Sequence, residues 1–213
     1  MEASLHAGAR RAIEVLTLAD ACSCPVGGIA VANRTAIRFT RDVDLAIAVA
    51  DDAEAEAVAR CFLSGGYALR GSLKQTAVDR LSTLRLRPPT PRDGQVDEGL
   101  VPMVDVLFAS SGIEAECVDA ATPVRVAPGL AVPTASVPHL IALKLLSESE
   151  RRLQDRIDLL MLIRVATASD LETVQNLLRL IRTRRFHRDK DLPARLAHFC
   201  ELAASDDPGG TLG

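Results

Sequence analysis

The stretch VGGIAVANRTAIRFTRDVDLAI, Val26 to Ile47, decides how this chain reads. It places Gly27 and Gly28 at a turn, then Arg34, Arg38 and Arg41, and then Asp42 and Asp44 on alternate positions of an apolar run. Strand side chains alternate faces, so the two carboxylates project to one side while Val43 and Leu45 go to the other. Two like charges that close repel unless a cation sits between them. Hard divalent cations such as Mg²⁺ take carboxylate oxygens and keep waters for a phosphate-bearing substrate. The plainer alternative is that Asp42 turns or caps a strand entrance and Asp44 faces solvent on an edge.

Upstream, Ala9, Ala12, Ile13 and Leu16 recur at helical spacing and predict an amphipathic helix over Leu5 to Ala19. Downstream, Val43 to Val49 has strand length, and DDAEAEAVARCFLSGG predicts a helix begun at Asp51 and Asp52 and ended by Gly65 and Gly66. Strands are expected around Tyr67 to Arg70 and Ser82 to Arg87, the second alternating Leu84 and Leu86 with Arg85 and Arg87. After the loop PPTPRDGQVDEG comes LVPMVDVLF, a strand apolar except for Asp105, the third carboxylate of the set if the two strands are neighbours. VRVAPGLAVPTAS predicts a hairpin turning at Pro128 and Gly129, with Ser136 capping the helix that follows. From there the period is helical: Val137 to Glu148, Arg151 to Ala166, Asp170 to Arg184 and Leu192 to Ala203. The expected architecture is α+β: a mixed strand and helix domain over 1–135, a helical domain over 136–205, and a flexible tail at 206–213.

Composition narrows the function classes. The chain has 213 residues, 48% of them apolar and 25% charged, the balance of a folded globular protein. Aromatics make up 3%, with no Trp, which argues against aromatic base-stacking platforms. A net charge of -3 argues against an indiscriminate polyanion binder, although a basic face can hide in that total. Cys22, Cys24, Cys61, Cys117 and Cys200 are odd in number and lack a C-x-x-C pair, so buried thiols in a reducing compartment are expected. The N-terminus lacks an unbroken apolar region and no run reaches membrane-spanning length, so a cytoplasmic location without membrane contact is expected.

Val26-Gly27-Gly28, thirteen residues, then Asp42-Val43-Asp44-Leu45 resembles the signature hG[GS]-x(9–13)-Dh[DE]h of the polymerase-β-like nucleotidyltransferase superfamily. Met103-Val104-Asp105-Val106 resembles its third-carboxylate strand. With LIALKLLSESERRLQDRIDLLML later in the chain, Val26 to Ile163 is most similar to the AbiEii-type nucleotidyltransferases of abortive-infection and toxin–antitoxin systems. The resemblance implies that Gly27 and Gly28 hold the triphosphate of an incoming NTP, with Asp42, Asp44 and Asp105 binding Mg²⁺ or Mn²⁺. Lys144 matches a helical lysine expected near the phosphates, and Asp155, with Asp158 as alternative, matches a later acidic position. Gln154 stands before Asp155 where the family usually has Arg. Arg34, Arg38 and Arg41 lie between glycines and carboxylates, where they meet phosphate or simply solvent; Arg41 is the nucleotide-binding candidate.

The acceptor is less marked. RLIRTRRFHRDK gathers Arg179, Arg182, Arg184, Arg185, Arg188 and Lys190 against Asp189, which favours RNA such as a tRNA end or merely complements a helix C-terminus. Three expectations stand: a toxin-type enzyme modifying RNA and restrained by an antitoxin protein, an adenylyltransferase of a small hydroxylated molecule such as an antibiotic, and a catalytically silent binding relative.

Overall fold

The computed structural model describes residues 2–36, 40–89, 102–127 and 129–205. Within them the chain runs α1 (Glu2–Leu18), β1 (Ser23–Val26), α2 (Gly27–Arg34), β2 (Val43–Ile47), α3 (Asp52–Ser64), β3 (Ala68–Gln75), β4 (Arg80–Arg87) and β5 (Val104–Leu107). It continues with α4 (Glu114–Asp119), β6 (Thr122–Ala127), β7 (Leu130–Thr134), α5 (Val137–Ser147), α6 (Leu153–Val165), α7 (Ala168–Thr183) and α8 (Leu192–Ser205). The fold is α+β: a five-stranded mixed sheet with flanking helices, followed by a largely helical C-terminal part.

Strand order is β1-β2-β5-β4-β3, with β2 and β5 parallel and the other pairs antiparallel. Short apolar runs suit strands covered on both faces, and Val43, Leu45, Val104 and Val106 are each at most 1% exposed. They pack with Ala9, Ala12 and Leu16 of α1 and Ala55, Val58 and Phe62 of α3, forming a core on one side of the sheet. On the other side Cys24, Val26 and Ala46 join Leu140, Leu145, Leu162, Leu177 and Phe199 in a second core. That cluster spans the expected boundary at residue 135, so the strand-bearing half and the helical half share apolar packing.

Local chemistry sets several helix ends. The Asp51 side chain accepts the Glu54 N–H at 3.0 Å to begin α3, while the Asp52 carboxylate accepts from Arg80 at 2.9 Å and from the Leu81 N–H at 3.1 Å, tying α3 to β4. Thr167 and Asp170 close a capping box at α7. Ser136 stands at the N-cap of α5, but its hydroxyl pairs with His139 Nδ1 at 2.8 Å instead of a backbone N–H.

Other expectations are corrected. Gly27 and Gly28 open α2 directly from β1, where a turn was expected, and Asp42 lies one residue before β2. Cys22 and Cys61 are exposed and Cys200 is half-buried, so only Cys24 and Cys117 are the buried thiols the sequence suggests. Arg38, most of the loop after β4, Pro128 of the hairpin turn and the tail 206–213 lie outside the described residues. Among the described residues no helix is long and apolar enough to cross a membrane.

Candidate active site

Parallel pairing of β2 with β5 sets Asp44 opposite Asp105, and the Val43 N–H to Met103 carbonyl bond of 2.8 Å anchors that register. Register partners share a face, so both carboxylates emerge on the side away from α1 and α3. There they line a cleft of about 1020 Å³ with Asp42, Gly27, Gly28, Arg41, Lys144 and Asp155. The structure thus brings together every site residue expected from the sequence except Asp158, the alternative to Asp155. The volume reaches the upper end of small-molecule pockets, roughly 300–1,000 Å³, which suits two substrates better than one.

Gly27 serves Asp44 sterically. Its φ is +59°, and a Cβ there would lie 2.0 Å from Asp44 Oδ2. The adjoining Gly28 backbone N–H favours the ionised form of Asp44.

Electrostatics differ across the acidic wall. Burial, then the charge of Asp105, pushes the Asp44 carboxyl up to about 6; Asp42 adds to the rise, while Lys144 and the Gly28 N–H oppose it. Asp105 is also raised by burial, with Asp42 adding and Arg85 and Arg152 opposing. Arg85 lies across from Asp105 on β4, and its guanidinium donates to Asp105 Oδ2 at 2.9 Å and to Asp42 Oδ2 at 3.1 Å. Burial pulls Arg85 down, but Asp105, Asp42 and Asp44 together hold it above the usual arginine value.

The opposite wall comes from α5 and α6. Lys144 Nζ lies 2.7 Å from Asp155 Oδ1 and 2.7 Å from Asp158 Oδ2. Asp155 and Asp158 are three residues apart on α6 and so share a face that meets the lysine. Asp155 also accepts from Ser147 and Arg152, and Lys144 and these donors outweigh its burial to hold it below the usual carboxylate range. Asp158 is fully buried and also accepts from Gln154 at 3.0 Å. Asp155 lines the cleft, and Asp158 braces Lys144 from behind.

The basic segment that ends α7 and runs on to Lys190 has most of its charges engaged separately. Arg184 is engaged by Glu116 at 2.6 Å and 3.0 Å and also reaches the Gly112 carbonyl. Lys190 donates to the Leu146 and Glu148 carbonyls, and Arg179 donates to Asn176. Arg188 alone of the segment lines the cleft, donating to the Ser110 carbonyl at 2.9 Å from a left-handed backbone of φ +52°. Arg34 is likewise engaged elsewhere, donating to the Ala135 and Thr134 carbonyls and to Thr122.

Sequence reasoning missed Arg85, Arg151 and Arg152 as cleft residues. The alternation of Leu84 and Leu86 with Arg85 and Arg87 already set Arg85 away from the core, which was the available signal.

The donor set fits a hard divalent cation in chemistry. Asp105 Oδ1 is buried and has no hydrogen-bond partner. Yet among the described residues no three His, Cys, Asp or Glu side chains stand close enough to chelate an ion as placed, and Arg85 occupies Asp42 and Asp105.

The sequence profile described as "Nucleotidyl transferase AbiEii toxin, Type IV TA system" matches residues 26–208. Among curated proteins no sequence matches the chain. The solution structure of the antibiotic-resistance factor ANT(2'')-Ia is similar with a TM-score of 0.51 and 13% identity, over 95% of this chain and 100% of that one. A crystal structure of an antigenic nucleotidyltransferase-like protein from Paracoccidioides brasiliensis aligns at TM-score 0.47 and 18% identity, over 89% of this chain and 91% of that one. At such identities the likeness concerns the fold.

Proposed function

We propose that this chain, which belongs to the AbiEii nucleotidyl transferase family, moves a nucleoside monophosphate from an NTP to a hydroxyl of RNA, with Mg²⁺ or Mn²⁺ as its metal. The chain is a nucleotidyltransferase; the metal, the acceptor and the residue roles are our reading. The observation that carries it is the register pairing of Asp44 with Asp105 in one cleft with Asp42 and Lys144.

Asp42, Asp44 and Asp105 would hold the metal, which when bound would offset charge on the phosphate oxygens. Lys144 and Arg188 face the triphosphate across the cleft, and Gly27 and Gly28 admit its approach beside Asp44. The acceptor oxygen bonds to the α-phosphorus, the bond to pyrophosphate breaks, and the hydroxyl proton passes to the Asp105 carboxylate. Little covalent chemistry is asked of the protein, so alignment and charge supply the catalysis.

RNA is supported by the size of the cleft and by Arg41, Arg151, Arg152 and Arg188 along it. The family's description as a Type IV toxin makes an antitoxin protein the expected partner, and a cytoplasmic location goes with that reading.

The test incubates the protein with Mg²⁺ and each labelled NTP, with either total RNA or a panel of aminoglycosides and lincosamides. Label on RNA, lost in Asp44→Asn, is expected. Label confined to a drug would replace the acceptor, and full transfer by Asp44→Asn would remove the metal assignment.

A further inference from the structure

Asp44, Asp105, Arg85 and Gly71 are successive register partners across β2, β5, β4 and β3, a single lateral row on the sheet. Arginine usually forks onto the two oxygens of one carboxylate. Here Nη1 takes Asp105 Oδ2 and Nη2 takes Asp42 Oδ2, so one guanidinium bridges two acids. A divalent cation shared by the same acids would draw on the same negative charge. Arg85 therefore supplies positive charge to both acids at once.

Two further observations bear on this. Asp105 Oδ1 remains buried without a partner, so the guanidinium satisfies only part of the carboxylate. The Arg85 side chain is 45% exposed, and its row neighbour Gly71 has no atom within 4 Å of where a Cβ would stand. A long, flexible arginine has open space to withdraw into without disturbing the core.

We propose that Arg85 is a positioning residue that holds Asp42 and Asp105 and competes with a divalent cation for them. The proposal rests on the metal reading given above. Arg85 sets the metal concentration at which the site fills, and it is freed from the acids when the ion is held.

The experiment titrates Mn²⁺ in the absence of nucleotide, following free Mn²⁺ by electron paramagnetic resonance, for wild type, Arg85→Gln, Arg85→Lys and Asp44→Asn. Arg85→Gln removes both charge-assisted bonds that compete with the ion, so it should tighten Mn²⁺ binding about tenfold. Arg85→Lys, which keeps the charge but loses the fork, should fall between Arg85→Gln and wild type. A merely structural role would weaken binding, never tighten it. Thermal melts check folding: Arg85→Gln should melt below wild type without metal and gain more from Mn²⁺ than wild type does. Equal or weaker Mn²⁺ binding by Arg85→Gln, with binding lost in Asp44→Asn, overturns the role of Arg85 and leaves the metal site standing. Absence of saturable Mn²⁺ binding in both wild type and Arg85→Gln overturns the metal reading and the role of Arg85 with it.

Discussion

Replacing Gly27 by Ala tests whether the glycine exists to admit Asp44. The new Cβ would sit 2.0 Å from Asp44 Oδ2, 2.5 Å from its Cγ and 2.8 Å from its Cβ, so all three close contacts belong to one side chain. The left-handed backbone at φ +59° adds about 1–2 kcal/mol once a Cβ is present. Forcing Asp44 aside adds about 1–3 kcal/mol, as overpacking does. The single variant should lose about 2–5 kcal/mol, a fall in Tm of roughly 5–15 °C for a chain of this size. Asp44→Gly removes all three clashing atoms, so in that background the same change should cost only the backbone strain. A double-mutant cycle by urea unfolding in metal-free buffer should therefore give a coupling of about 1–3 kcal/mol. Additivity within about 0.5 kcal/mol would show that Gly27 is not there for Asp44.

The pH dependence of stability isolates Asp44 itself. Its folded pKa of about 6 exceeds the ordinary aspartate value of 3.8, so ionised Asp44 costs stability above pH 6, and the cost fades as pH falls from 6 towards 4. Metal-free Asp44→Asn should exceed wild type at pH 8 by on the order of 3 kcal/mol and match it near pH 4; parallel pH curves would reject the assignment. Lys144→Met leaves Asp158, fully buried, and Asp155 without their shared cation. It should cost about 3–5 kcal/mol, and Asp158→Asn in the same chain should recover part of that; a wild-type melt would refute the brace.

Patterns short in sequence were legible and long-range pairings were not. The alternation around Asp42 and Asp44, the apolar strand around Asp105 and the helical period after Val137 each follow from local chemistry, and all appear in the structure. That β5 lies beside β2 is a fact of topology, because β3 and β4 intervene in the chain and nothing local specifies the partner. Arg85 could be placed on the outer face of its strand, but its bridging of Asp42 and Asp105 depends on that same topology. The basic segment misled for a related reason: charge counts carry no information about Glu116 or backbone carbonyls that consume the charges in three dimensions. β1 and α4 went unforeseen because four strand residues containing a proline, and six helical residues, are too short to show a period.

The insertion of β5 between β2 and β4 also sets an entropic cost. The β3–β4 hairpin can zip locally, whereas the β2–β5 contact must close a long loop whose entropic toll is repaid only by a finished core. Asp44 and Asp105 are therefore brought together by that long-range closure and by no local element. A shift of one residue in that pairing would set Val104 or Val106 against Asp44 in place of Asp105, so the meeting of the two carboxylates is a readout of correct sheet register.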